Sequence, residues 1–399
     1  MAHQRLAPLT ALACTFLMVT PMLTARALLL GQSSPSRTVA IGDVHGAGDA
    51  FVGILQAANL IDADRKWSGG TATFVQTGDY LDRGGAVRQI LDLLMSLEDQ
   101  AKSAGGRVEV LLGNHEMMNM LREMTDVSPE AYASFADSKS EDRRKKAYEA
   151  QAKSAKRAGG AADPGPRDPW MSTHPAGYVE YFDAMGPQGR YGKWLRAHKV
   201  VVQVDNTAFM HAGIAPDAQG GIDDVNRDAA RAIKAYDDAT STLVREGLIT
   251  PYYTLKETVA AAVADLKRIS EALGAGKPVE AYVTREYVDQ LQGVVGIGES
   301  PLLAARGPLW FRGLSELPTE ETDAQVTALF NRLGITRMVV GHTPRLPGRI
   351  LPRFDNRVFP IDTGMLSTFF KGGRASALEI VGDRVTAIYA NEREVLVGK

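Results

Sequence analysis

This chain predicts an α/β fold with its chemistry on one edge of a sheet, and three observations carry that reading. A strand–loop–helix unit recurs three times between residues 38 and 120. Each of those loops sets Asp, Asn or His beside glycine. Short apolar runs in the second half of the chain end in His as well. Ligands of open α/β sheets bind outside the carboxyl ends of the strands, so all of these loops belong to one candidate site.

The elements follow in order. Arg5 precedes the apolar run "LAPLTALACTFLMVTPML", and Ala25-Arg26-Ala27 follows it, the pattern of a signal peptide over residues 1–27. The alternative is an uncleaved anchor, since the run approaches spanning length; Pro8, Pro21 and the small residues at its end favour cleavage. The one cysteine, Cys14, lies inside this segment, so the rest of the chain has neither a disulfide nor a thiolate nucleophile. Lipidation of Cys14 is disfavoured by Ala11 at the position where a lipobox has Leu. Residues 28–37 read as a polar tether to one catalytic domain, 38–399.

"TVAIGD" predicts a buried strand, and "GDAFVGILQAANLI" a helix with Phe51, Ile54, Leu55 and Ala58 at helical spacing. "TATFVQTGDYLDRGG" is a strand running into a glycine-rich turn, followed by the helix "AVRQILDLLMSLEDQAKSAG". "RVEVLLGNHEMMNML" repeats the unit. Residues 121–170 break the pattern with the Ala-, Lys- and Arg-rich "EDRRKKAYEAQAKSAKRAGG", which lacks a wide apolar face. This predicts an exposed, solvated helical insertion, with the basic run Arg143 to Lys156 as an alternative docking arm. "VVVQVDNTAFMH" alternates around Asp205-Asn206 and predicts a two-stranded hairpin. Residues 223–300 read as a mostly helical cap beside the core. "RMVVGHTPRLPG", "RVFPIDTGML" and "ASALEIVGDRVTAIY" return to strands.

With 399 residues, 45% hydrophobic and 23% charged, the composition is that of an ordinary globular protein, and a formal net charge of -2 argues against a general nucleic-acid binder. Four of the seven histidines, His45, His115, His211 and His342, fall in the loops "GDVHG", "GNHE", "HAG" and "GHT". His45, His211 and His342, with Asp43, Asp79 and Asn114, offer nitrogen and oxygen donors suited to divalent metals. "GDVHG" alone is equally well a turn with a helix cap, and "DRG" alone is a surface turn. Five such loops in order, each after a β run, are better explained by a shared site. The donors exceed what one ion needs, which points to two ions and a bridging carboxylate, an arrangement used for in-line phosphoryl displacement.

The motifs "GDVHG", "GDYLDRG" and "GNHE" resemble those of calcineurin-like metallophosphoesterases, in the form of the phosphoprotein phosphatase group and, within it, the bacterial Shewanella-like branch. The resemblance implies a central mixed β-sandwich flanked by helices and a phosphomonoester hydrolase in which a hydroxide held by two metal ions attacks phosphorus. It implies that Asp43 and His45 bind one ion, that Asp79 bridges, and that Asn114, His211 and His342 bind the other; the ions would be manganese, iron or zinc. His115 would be the general acid, oriented by Asp82. Arg83 and Asn114 would bind phosphate, and Glu116 would orient its neighbours. This chain reads "HAG" where the family has "HGG", a change small enough to keep the ligand. It reads "LWFRG" where serine/threonine phosphatases carry "LWSDP", so Arg312 stands in place of an aspartate and is expected to meet the phosphate or an anionic flank of the substrate. The implied substrate is a phosphorylated peptide or protein, with phosphotyrosine favoured because the branch includes enzymes that prefer it. The "IDTG" element, shared with dinucleoside polyphosphate hydrolases, keeps a small phosphoester or nucleotide as the alternative; a catalytically weak phosphate-binding protein is a third reading. With the N-terminal signal, the expected location is periplasmic or secreted, with membrane contact only if that segment is retained.

Overall fold

The structure, a computed structural model, describes residues 36–398. The signal-peptide reading of residues 1–27 lies outside the described residues. Among the described residues, ten strands form two sheets. They are β1 (Arg37–Ile41), β2 (Thr73–Gln76), β3 (Arg107–Val110), β4 (Val201–Val204), β5 (Thr207–Met210), β6 (Arg337–Val340), β7 (Val358–Pro360), β8 (Ser376–Val381), β9 (Arg384–Tyr389) and β10 (Glu392–Val397). The first sheet runs β10-β9-β8-β1-β2-β3 and the second β4-β5-β6-β7.

Side-chain alternation assembles the sandwich. Ala40 and Val75 of the first sheet share a core cluster with Phe209, Val339 and Phe359 of the second. Their sequence neighbours Val39, Ile41 and Phe74 belong to a separate cluster with helices α1 (Gly48–Ala57) and α2 (Val87–Ser103). These short strands are therefore buried on both faces, which is why they read as continuous apolar runs. Phe51, Ile54, Leu55 and Ala58 of the predicted first helix are all buried.

Register places the loops. β1, β2 and β3 are mutually parallel, with Ile41 opposite Gln76 and Gln76 opposite Val110. β5, β6 and β7 are also parallel, with Met210 opposite Val340 and Val340 opposite Pro360. Both parallel sets thus end level, each carrying its polar loops at the carboxyl ends. β4 and β5 form the antiparallel hairpin around Asp205-Asn206.

Two helical regions modify the sequence expectations. The basic insertion forms a helix, Ser140–Arg157, but it is not solvated all round: Ala147, Gln151, Ser154 and Ala155 are buried. Gln151 accepts from the Trp170 indole N–H at 3.0 Å and donates to Glu257 at 2.5 Å. Small and polar side chains make this buried face, so an apolar pattern could not reveal it. Arg143 of the basic run pairs with Asp137 at 2.7 Å and Glu180 at 2.5 Å. The region 223–300 contains helices Ile222–Arg245, Leu255–Gly274 and Arg285–Val295, with a small core of their own that includes Leu243, Tyr253, Ile269 and Leu291. Among the described residues no helix is long and apolar enough to cross a membrane.

Candidate active site

The carboxyl ends of the two parallel strand sets open on a cavity of about 240 Å³, lined by Asp43, His45, Asp79, Arg83, Asn114, His115, Arg312 and His342, among others. His211 lies beneath it, fully buried. No residue of 223–300 lines this cavity.

Two of the imidazoles are aimed by their second nitrogen. His45 Nδ1 lies 3.2 Å from the Leu81 carbonyl, and His211 Nδ1 lies 3.2 Å from the Thr77 carbonyl. A carbonyl only accepts, so both Nδ1 atoms carry a proton, and the Nε2 of His45 presents a lone pair to the cavity. His45 Nε2 lies 3.6 Å from Asp79 Oδ2 and 3.8 Å from Asp43 Oδ2. His211 Nε2 lies 2.8 Å from Asn114 Oδ1, 3.1 Å from His342 Nδ1 and 3.3 Å from Asp79 Oδ2. Burial, above all, holds His45 down at about 3 and also pushes His342 far below its ordinary value, so both are neutral.

The acids complete the picture. Burial works against a charge on Asp79, but the imidazoles of His211 and His115 outweigh it and keep this carboxylate ionised. Burial, then the carboxylates of Asp362 and Asp79, push Asp43 well above the usual range. Asp362 was not singled out from the sequence; burial pushes it up to about 6. It lies two residues beyond β7, as His342 lies two beyond β6, so its offset from the end of an apolar run was the available signal. His342 Nε2 and Asp362 Oδ2 are buried and have no hydrogen-bonding partner. Imidazole lone pairs and buried carboxyl oxygens converging in one place, with an orphaned Asp362 oxygen beside them, suit divalent cations. Two overlapping groups have ligand atoms close enough for one ion each: His45, Asp79 and His115, and Asp79, His211 and His342. Asp79 belongs to both.

Glu116 holds this arrangement from behind. It is fully buried, and its carboxylate accepts the backbone N–H of Asp79 at 2.7 Å, Tyr80 and Leu81 at 3.0 Å each, and Gly113 at 2.8 Å. Gly113 has to be glycine: an added Cβ would fall 2.5 Å from the Asp79 nitrogen.

His115 Nδ1 meets Asp82 Oδ2 at 2.7 Å. Asn119 donates to Asp82 Oδ1 at 2.9 Å and in turn accepts from the Tyr181 hydroxyl at 2.6 Å. Burial disfavours the imidazolium, but Asp79 and Asp82 outweigh it and raise His115 to about 9. Asn119, Tyr181 and Asp126, whose carboxylate is 3.8 Å from His115 Nδ1, were missed in the sequence. Asn119 stands one helical turn from His115 on α3 (Asn114–Met120), a weak signal; Tyr181 and Asp126 had none. Arg83 points its fork at His45 Nε2, 2.8 Å away, and His115 Nε2, 3.2 Å away, with its guanidinium over the rings of Phe369 and Phe370. Arg312 is exposed at the rim, donating to the His342 carbonyl at 2.6 Å.

The family described as calcineurin-like phosphoesterase matches residues 36–239. An uncharacterized protein of Schizosaccharomyces pombe is 27% identical over 87% of this chain and 77% of its own. Shewanella-like protein phosphatase 2 of Arabidopsis thaliana is 30% identical over 51% of this chain, a match spanning about half (53%) of that relative. Among solved structures, the cold-active protein-tyrosine phosphatase of a psychrophilic Shewanella shares the fold, with a TM-score of 0.53 and 22% identity over 91% of this chain and 80% of that one.

Proposed function

Since this chain belongs to the calcineurin-like phosphoesterase family, we propose that it is a metal-dependent phosphatase of the Shewanella-like branch that hydrolyses phosphomonoesters on proteins, with phosphotyrosine preferred. The observation that carries this reading is the convergence of Asp43, His45, Asp79, Asn114, His211 and His342 on one cavity, with the His115–Asp82 pair and Arg83 beside them. Asp43 and His45 would hold one ion, Asn114, His211 and His342 the other, and Asp79 would lie between the two. Two divalent ions, when bound, supply Lewis acidity that activates water for attack on phosphorus and offsets phosphate charge.

The remaining tasks fall to the protein. His115, oriented by Asp82, donates a proton to the leaving oxygen. Asp82 is itself held by Asn119, so the imidazole cannot easily rotate out of line. Arg83, steadied by two aromatic rings, turns its fork from the imidazoles to the phosphate oxygens when substrate enters. Arg312 at the rim meets anionic groups flanking the phosphate. Phe369, 59% exposed, stands with Phe370 against Arg83, an apolar wall that suits an aromatic leaving group. The protein phosphatase names of the curated relative and the structural neighbour support the substrate class.

The test is a panel of phosphotyrosine, phosphoserine and phosphothreonine peptides with dinucleoside polyphosphates, assayed with added Mn²⁺ and with metal analysis on the same sample. Phosphotyrosine peptides should turn over fastest. Turnover of nucleotides alone would replace this reading with the small-phosphoester one. Export is proposed from residues 1–27, on the strength of Arg5, the apolar run and Ala25-Arg26-Ala27; recovery of the full-length chain from the cytosol would refute it.

A further inference from the structure

Asp362 lies at the end of β7, where strand register sets it level with His342: Val340 pairs with Pro360, and each residue lies two positions further along. It lines the same cavity as Asp43, His45 and Asp79. The residue is 1% exposed. Its Oδ1 accepts the Gly364 N–H at 3.0 Å, and its backbone carbonyl accepts the Arg345 N–H at 2.8 Å. Its Oδ2 has no partner. Among the described residues, neither Asp362 nor Asp43 forms an ion pair with a lysine or arginine. Buried carboxylates side by side, without a paired cation of the protein's own, are unfavourable unless a proton or a metal ion joins them.

The two sides of the site are also unequal. Asn114, His211, His342 and Asp79 would give one ion four protein donors. With His115 reserved as the acid, Asp43, His45 and Asp79 would give the other three. We propose that Asp362 is a further metal ligand, its free Oδ2 completing the donor set on the Asp43 side. This rests on the two-ion reading above. The loop geometry fits the role: Oδ1 is tied back to Gly364, which fixes the carboxylate and leaves the other oxygen to the ion.

The test uses the whole chain, stripped with chelator and titrated calorimetrically with Mn²⁺, with bound metal counted after gel filtration. Asp362→Asn keeps an oxygen for the Gly364 N–H and removes the charge. The wild type should bind two ions. The variant should lose about tenfold or more in affinity at one site and keep the other. Melting supplies a second readout. The stripped variant should melt no lower than the stripped wild type, because a like-charge contact has gone, while its gain on adding Mn²⁺ should shrink. Asp362→Glu, which restores a carboxylate, should recover part of the lost affinity. If Asp362→Asn binds two ions with wild-type affinities, the inference fails and the proposed function stands. The inference also fails if the stripped variant melts lower with both affinities intact, since Asp362 would then only brace its loop. A wild type that binds no ion overturns the functional reading along with it.

Discussion

Glu116→Gln isolates the contribution of one buried side chain. The carboxylate accepts four backbone N–H groups, with Oε2 serving Asp79 and Gly113 and Oε1 serving Tyr80 and Leu81. Glutamine has nearly the same shape, and its oxygen can keep one pair of donors. Its amide nitrogen then faces the other two and can accept from neither. Two buried donors are left unsatisfied, at about 1–3 kcal/mol each, or about 2–6 kcal/mol together. Removing a buried charge works in the opposite direction, since burial and Asp79 raise Glu116 to about 7. Four donors on two oxygens nevertheless make this a solvated carboxylate in all but name, so the loss dominates. With an unfolding entropy of ~2.1 cal/mol/K per residue, a domain of this size should lose about 3–8 °C in melting temperature. Asp79 moves with the lost bonds, so Mn²⁺ affinity should fall about 10–100-fold. Thermal melts of stripped protein and calorimetric Mn²⁺ titration check both. Wild-type melting together with wild-type affinity would show that Glu116 does not hold the Asp79 loop.

His115→Asn should retain its metal and lose about 10²–10⁴-fold in turnover on alkyl phosphates, with a much smaller loss on p-nitrophenyl phosphate, whose leaving group needs no proton; equal losses on both would argue against an acid role. Tyr181→Phe removes the donor to Asn119 Oδ1, leaving a buried acceptor unpaired. Urea unfolding should show a loss of about 1–3 kcal/mol, and kcat should fall more than KM changes. His198 sits edge-on to Trp194, and burial holds its imidazole down at about 4. As pH drops below about 6.5 the unfolded chain takes up this proton before the folded one does, so stability declines from there toward pH 4. His198→Gln should flatten that part of the stability profile measured by urea unfolding, and an unchanged slope would remove His198 as its cause.

Much of the site was legible because chemistry and secondary structure share one signal here. Asp43, Asp79, Asn114, His211 and His342 each lie within four residues of the end of an apolar run, and parallel register brings the ends of those runs level. Asp362 obeys the same rule, but in the sequence "IDTG" reads only as an element shared with dinucleoside polyphosphate hydrolases. Asn119 and Tyr181 were out of reach: 62 residues separate them, and only the tertiary fold joins them. The insertion was half legible. Its helix could be read, but a buried face of alanine, serine and glutamine resembles a solvated one in any pattern based on hydrophobicity.

Backbone conformation explains why these loops act as one unit. His45, Asp79, Asp82, Arg83 and His342 all have φ between 47° and 67°, the left-handed region, although none is glycine. Such residues cost on the order of 1–3 kcal/mol each and persist only where their surroundings over-determine them. Here the loops determine one another. The Asp79 carbonyl accepts from both Val44 and His45 at 2.9 Å, and the His45 carbonyl accepts from Gly84 at 3.0 Å. The Arg83 N–H donates to the Asp126 carbonyl at 2.9 Å, and the His342 N–H donates to Asp43 Oδ1 at 3.0 Å. The turns at His45, Asp79, Arg83 and His342 are therefore each held by a bond to another loop. The left-handed turns swing the side chains over the strand ends, and the cross-loop bonds keep them there before any ion or phosphate arrives. Ligand geometry is thus set by folding, and so a change at Glu116, which touches no substrate, should be felt at Asp79.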